Sequence, residues 1–160
     1  MKLRLNPFSI LLFLFVQACT LGSNNSNIGK ADIQDSINSI KLFPYKYINT
    51  KRELRENDDS YNEMILYACG MHPNIDTLRM FCKAKKDSIT DGYFHIIIFY
   101  DSPKNARFSK YAVTAMFGDE EKPLRHIKAD YTYNVVNGYS KLTVYKVNML
   151  VSKGQEYDVN

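Results

Sequence analysis

Asn137-Gly138 lies between two alternating runs in the segment RHIKADYTYNVVNGYSKLTVYKVNM. Asn-Gly is the favoured pair for a two-residue type I′ turn, because both central positions need positive φ. That turn predicts Tyr133 opposite Leu142 and Tyr131 opposite Val144 on one face of a hairpin. The other face then pairs Asn134 with Lys141, Thr132 with Thr143 and Asp130 with Tyr145. One face is apolar and the other largely polar on both strands at once, an agreement that a one-residue slip would destroy. The pattern predicts an antiparallel sheet with one covered face and one wetter face.

The segments upstream supply the rest of the domain. EMILYACG (Glu63–Gly70) is an apolar run of strand length closed by glycine, and GYFHIIIFYD (Gly92–Asp101) is rich in β-branched and aromatic residues, as a central strand requires. Between them, HPNIDTLRMFCKAKKDS predicts a helix over about 74–88. Asp76 stands in its first turn, Lys83, Lys85 and Lys86 come near its end, and Ile75, Leu78, Phe81 and Cys82 form one apolar stripe. YKYINTKRELRE (Tyr45–Glu56) is ambiguous between strand and helix, and YAVTAMF (Tyr111–Phe117) reads as a further strand. The order β-α-β-β-β predicts an α+β two-layer domain, with one main helix on a mostly antiparallel sheet.

The N-terminus carries a different signal. Lys2 and Arg4 precede an apolar block from Phe8 to Val16, far shorter than the ~20 residues of a membrane-spanning helix. The block has the form of a secretory h-region behind a basic start. It ends at Val16-Gln17-Ala18-Cys19, which resembles the lipobox of bacterial lipoproteins, with Gln17 where a small residue is commoner. The resemblance implies cleavage before Cys19, a diacylglyceryl thioether on its sulfur and acylation of the new amine. Two or three acyl chains hold a protein stably on a bilayer, at about 0.8 kcal/mol per buried methylene. The alternative is a plain secretory signal with an incidental cysteine. Thr20 after the cysteine, in place of aspartate, implies the outer membrane by the same resemblance.

TLGSNNSNIGK (Thr20–Lys30) is small and polar and reads as a flexible tether. The expected organisation is therefore a signal peptide over 1–18, a tether over 19–30 and one domain over 31–160. Ile33, Ile37 and Ile40 fall at helical spacing within it and predict a short amphipathic helix.

Charge excludes little but excludes something. The formal net charge of +4 includes Lys2 and Arg4, so the remainder is about +2, too mild for a nucleic-acid partner. The partners implied are a membrane, through the lipid, and an envelope protein; no small-molecule substrate can be read.

With Cys19 lipidated, Cys69 and Cys82 remain. They form either a disulfide or two buried thiols. A helix starting near Asn74 would carry Cys82 about 12 Å along its axis, nearer Ile65 or Leu66 than Cys69, against the ~7 Å between Cα atoms that a disulfide allows. Cys69, His72 and Cys82 are also the residues a thiol-active or metal-binding reading would use, although only one short ligand pair is present. His95 reads as a core or edge histidine and His126 as a polar-face residue of the hairpin. Tyr139 and Tyr145 are tyrosines that could contact a glycan or a partner protein. No phosphate loop, nucleophile elbow or calcium loop is present, and no catalytic residue, metal or cofactor is expected. The expected function is a non-enzymatic binding or assembly module, the runner-up a small envelope enzyme.

Overall fold

A computed structural model describes residues 43–160. The expected signal peptide, Cys19, the tether and the Ile33–Ile40 helix lie outside the described residues.

Six strands form one sheet in sequential order. They are β1 (Lys46–Leu54), β2 (Tyr61–Ala68), β3 (Phe94–Tyr100), β4 (Ile127–Asn134), β5 (Ser140–Tyr145) and β6 (Gly154–Asp158). Every neighbouring pair is antiparallel except β2 and β3. A parallel pair needs a crossover, and helix α1 (Ile75–Ser88) supplies it. The chain is thus an α+β domain with one main helix on a mostly antiparallel sheet, as expected.

The ends of α1 follow from its sequence. Asn74 has extended backbone, and its Oδ1 accepts the Thr77 amide at 2.9 Å. Asp76 in the first turn and Lys85 and Lys86 in the last suit the helix dipole. Leu78, Phe81 and Cys82 are buried against the sheet, whereas Ile75 is 36% exposed and leaves the predicted stripe.

The helix covers one face. Ile65, Tyr67, Ile97, Phe99, Tyr131 and Leu142 pack beneath Leu78, Phe81 and Cys82. Phe43 and Tyr45, where the described chain begins, close the β1 side with edge-on contacts to Phe81 at 5.4 and 5.1 Å.

The opposite face is not the wetter one the hairpin pattern predicted. Met64, Leu66, Ile96, Ile98, Tyr100 and Ile127 form a second core there, covered by Val113 and Phe117. The cover is the β3–β4 connection, which holds short helical turns at Pro103–Asn105 and Val113–Ala115 and a one-turn helix α2 (Glu121–Leu124). Tyr111–Phe117 is therefore not a strand. Met116 has φ 52°, which breaks extension, and Val113 and Phe117 point into the core on either side of it. The connection is tied down by Glu53 Oε2, which accepts the Val113 amide at 2.7 Å, and by Tyr100, whose hydroxyl donates to the Arg107 carbonyl at 2.8 Å. Strand β6, read as nothing in particular from Gly154–Asp158, adds the last edge.

The hairpin exists with a different turn. Tyr131 pairs with Leu142 and Tyr133 with Ser140, two residues away from the predicted register. Among the described non-glycine residues only Met116 has positive φ, so Asn137 does not meet the type I′ requirement; of the turn pair Gly138 alone does, at 73°. Instead Asn134 organises a longer loop. Its carbonyl accepts the Gly138 amide at 2.9 Å, and its Oδ1 accepts the amides of Val136 and Asn137 at 3.0 and 3.1 Å. A shift of two keeps every side chain on its predicted face, which is why the alternation was right and the partners wrong.

Candidate functional site

Parallel pairing sets Glu63 of β2 beside His95 of β3 on the helix side of the sheet. Glu63 Oε2 lies 3.1 Å from His95 Nδ1, and Glu63 Oε1 accepts Arg52 Nε at 2.6 Å. The other ring nitrogen of His95 faces the Asp91 carbonyl at 2.9 Å. Both imidazole nitrogens thus face oxygen acceptors. Glu63 and His95 are buried, and Tyr61 closes the site edge-on to the imidazole while donating to Asp91 Oδ1 at 2.8 Å. Burial raises the Glu63 carboxyl, but the hydrogen bonds from His95 and Arg52 outweigh it and hold the group below its ordinary value. Gly92 makes room: with φ 80°, a Cβ there would stand 2.7 Å from His95 Nε2.

A second histidine pair forms at the opposite end of β3. Asp101 follows the strand and His126 precedes β4; Asp101 Oδ2 holds His126 Nδ1 at 2.9 Å. Asn105 Nδ2 donates to Asp101 Oδ1 at 2.8 Å and to Ser102 Oγ at 2.9 Å. Burial raises the Asp101 carboxyl, yet these donors keep it below the usual carboxylate range. His126 is half-exposed, and among the described residues nothing bonds its Nε2. Such a nitrogen can ligate a metal, but among the described residues no group of three ligands is gathered around it. A shallow cavity of about 230 Å³ lies elsewhere, between α1 and the end of β6, lined by Arg79, Met80, Lys83 and Val159 among others.

Comparison with known proteins adds nothing to this geometry. No family model, no curated protein and no solved structure matches the chain.

Among the described residues, Cys69 and Cys82 are both free thiols. Cys69 directly follows β2, half-buried, with its thiol donating to the Tyr100 carbonyl at 3.4 Å; burial pushes it up to about 12. Cys82, on α1, is buried against the sheet, and the same cause raises it well above the ordinary thiol value. Neither is a thiolate at neutral pH, which is the form that attacks or binds metal. His72 is exposed on the loop after β2. Among the described residues no three His, Cys, Asp or Glu side chains are grouped to hold a metal ion. Tyr145 is half-buried and donates to Asp130 at 2.7 Å, so of the two noted tyrosines only Tyr139 is exposed.

Glu63, Arg52, Asp91 and Asp101 were not singled out by sequence. A signal existed for the first pair. Glu63 and His95 each stand directly before a run of three aliphatic residues, Met64–Leu66 and Ile96–Ile98, so equal positions in two parallel strands would meet.

The two ends of the sheet differ in charge. The starts of β1, β4 and β6 and the ends of β2, β3 and β5 share one end, by their pairing. Lys46, Lys104, Lys110, Lys122, Arg125, Lys146 and Lys153 are exposed in or beside the segments at that end, against Asp76, an Asp119 3.8 Å from Lys110 and a Glu121 held by Arg125 at 3.0 Å. The opposite end exposes Glu56, Asp58, Asp59, Asp87 and Asp91.

Proposed function

We propose that this chain is a lipid-anchored protein of the bacterial cell envelope, held in the outer membrane through Cys19, and that its folded body is a non-enzymatic binding or assembly module. The anchor is supported by the basic start, the short apolar block and Val16-Gln17-Ala18-Cys19. The observation that carries the second half is the internal use of the reactive groups: Glu63, His95, Arg52, Asp91 and Tyr61 bond to one another, and the two thiols of the body, Cys69 half-buried and Cys82 buried, are both raised by burial. A side chain saturated by its own fold supports that fold and is not offered to a substrate. What the body presents instead is a nine-residue edge strand, β1, with exposed Tyr47 and Leu54.

The competing reading, an envelope enzyme using Cys69, His72 and Cys82, requires a thiolate, and the loss of solvent around both sulfurs opposes one.

Fractionation of cells carrying Cys19→Ser tests the anchor; the variant is expected in the soluble fraction and the parent with membranes. Crosslinking in intact envelopes is expected to capture a discrete protein on the parent chain. An unchanged membrane distribution of the variant would refute the anchor. A thiol-dependent activity lost in Cys69→Ser/His72→Ala would refute the non-enzymatic reading.

A further inference from the structure

The segment between β5 and β6, residues 146–153, is built to hold apolar side chains in solvent. Asn148 is its pivot. Its Oδ1 accepts the amides of Leu150 and Val151, both at 3.1 Å, and its carbonyl accepts the Ser152 amide at 3.1 Å. Ser152 Oγ in turn accepts the Val147 amide at 2.9 Å. Two further bonds fasten the loop to β4: Met149 donates to the Ile127 carbonyl at 3.1 Å, and buried Lys128 donates to the Val147 carbonyl at 2.6 Å. The outcome is a fixed loop with Val147 51% and Val151 65% exposed, between exposed Lys146 and Lys153. Met71, 57% exposed, lies on the loop after β2 at the same end of the sheet. The described chain also enters there, at Phe43, with Lys46 opening β1. Apolar tips within a cationic rim, on the end through which the chain arrives, fit a surface that is oily inside and negative outside.

From this we infer that the sheet end bearing Val147, Val151 and Met71 seats on an anionic lipid bilayer, with Lys46, Lys146 and Lys153 over the headgroups. The carboxylates of the opposite end then face away from the membrane, where like charge does not oppose contact. The inference deepens the anchored reading and rests on it for placing the protein at a bilayer; the choice of face comes from the fold.

The test uses the full mature chain reconstituted in vesicles, with an environment-sensitive fluorophore on Val151→Cys or on Leu54→Cys at the far end. On vesicles containing about one-third phosphatidylglycerol, the label at 151 is expected to shift blue and to be quenched by a lipid-borne quencher at least about threefold more than the label at 54. High salt, or phosphatidylcholine alone, is expected to abolish the difference. Changing Lys46, Lys146 and Lys153 together to Gln is expected to lower the ratio of seated to unseated molecules about tenfold or more. The mass of the Cys19 peptide scores the anchor separately. A lipidated chain whose two labels behave alike on anionic vesicles overturns the seated face and leaves the anchor standing. An unlipidated chain whose 151 label still reaches lipid overturns the anchor and leaves the face.

Discussion

Glu63 and His95 stand side by side, 3.1 Å apart, on two parallel strands that the chain separates by 32 residues and a helix. The pair is almost wholly buried, and it is compensated from outside by Arg52, whose side chain is 60% exposed. The unequal burial sets unequal costs. Glu63→Gln removes the charge that His95 and Arg52 both use, and it is expected to cost about 2–4 kcal/mol in urea unfolding. Arg52→Gln leaves the buried pair intact and is expected to cost under about 1 kcal/mol. Because the folded Glu63 carboxyl titrates below its unfolded value, its contribution is present above the unfolded pKa. It is lost as pH falls through the folded one.

Asp130 behaves in the opposite sense. It is buried in β4 beside Tyr145, and burial raises it to about 6 in spite of the Tyr145 hydrogen bond. The folded state binds the proton more tightly than the unfolded state, so stability falls as pH rises from about 4 to about 6, and the full cost persists above that window. Asparagine keeps an acceptor for the Tyr145 hydroxyl and carries no charge. Asp130→Asn is expected to raise stability at pH 7 by roughly 1–3 kcal/mol and to flatten that part of the pH profile in thermal denaturation.

The hairpin loop distinguishes its two asparagines. Asn134 is buried and caps the Val136 and Asn137 amides, whereas exposed Asn137 accepts only from Tyr139. Asn134→Ala is expected to cost about 1–2 kcal/mol and Asn137→Ala under about 0.5. A two-residue type I′ turn would reverse that order, so paired unfolding curves decide between the turns.

Thiol reactivity should follow burial. At pH 7.5 an aromatic disulfide reagent is expected to leave Cys69 and Cys82 unmodified in the native protein and to titrate both in denaturant, because burial in the folded state pushes Cys69 up to about 12 and raises Cys82 well above the ordinary thiol value. Rapid native modification of Cys69 would contradict the protonated site.

The class of the domain is legible in the sequence, and the reason is local. The Asn74 cap, Asp76 and the closing lysines define α1 within its own residues, and two unbroken apolar runs admit few roles other than central strands. Side-chain facing in the hairpin was equally local, since alternation survives any even shift in register. The site was not local. Asp101 and His126 are joined through a connection that covers the second face, and Val113 and Phe117 reach that face only because Met116 bends the chain. Sequence by itself determined the helix, the strand periodicity and the α+β class, all of them consequences of side-chain pattern over a few residues. Tertiary structure alone decided the parallel order of β2 and β3, the partner of each histidine and the burial of the second face. Those depend on which distant segments exclude water from one another, and no short-range pattern encodes that choice.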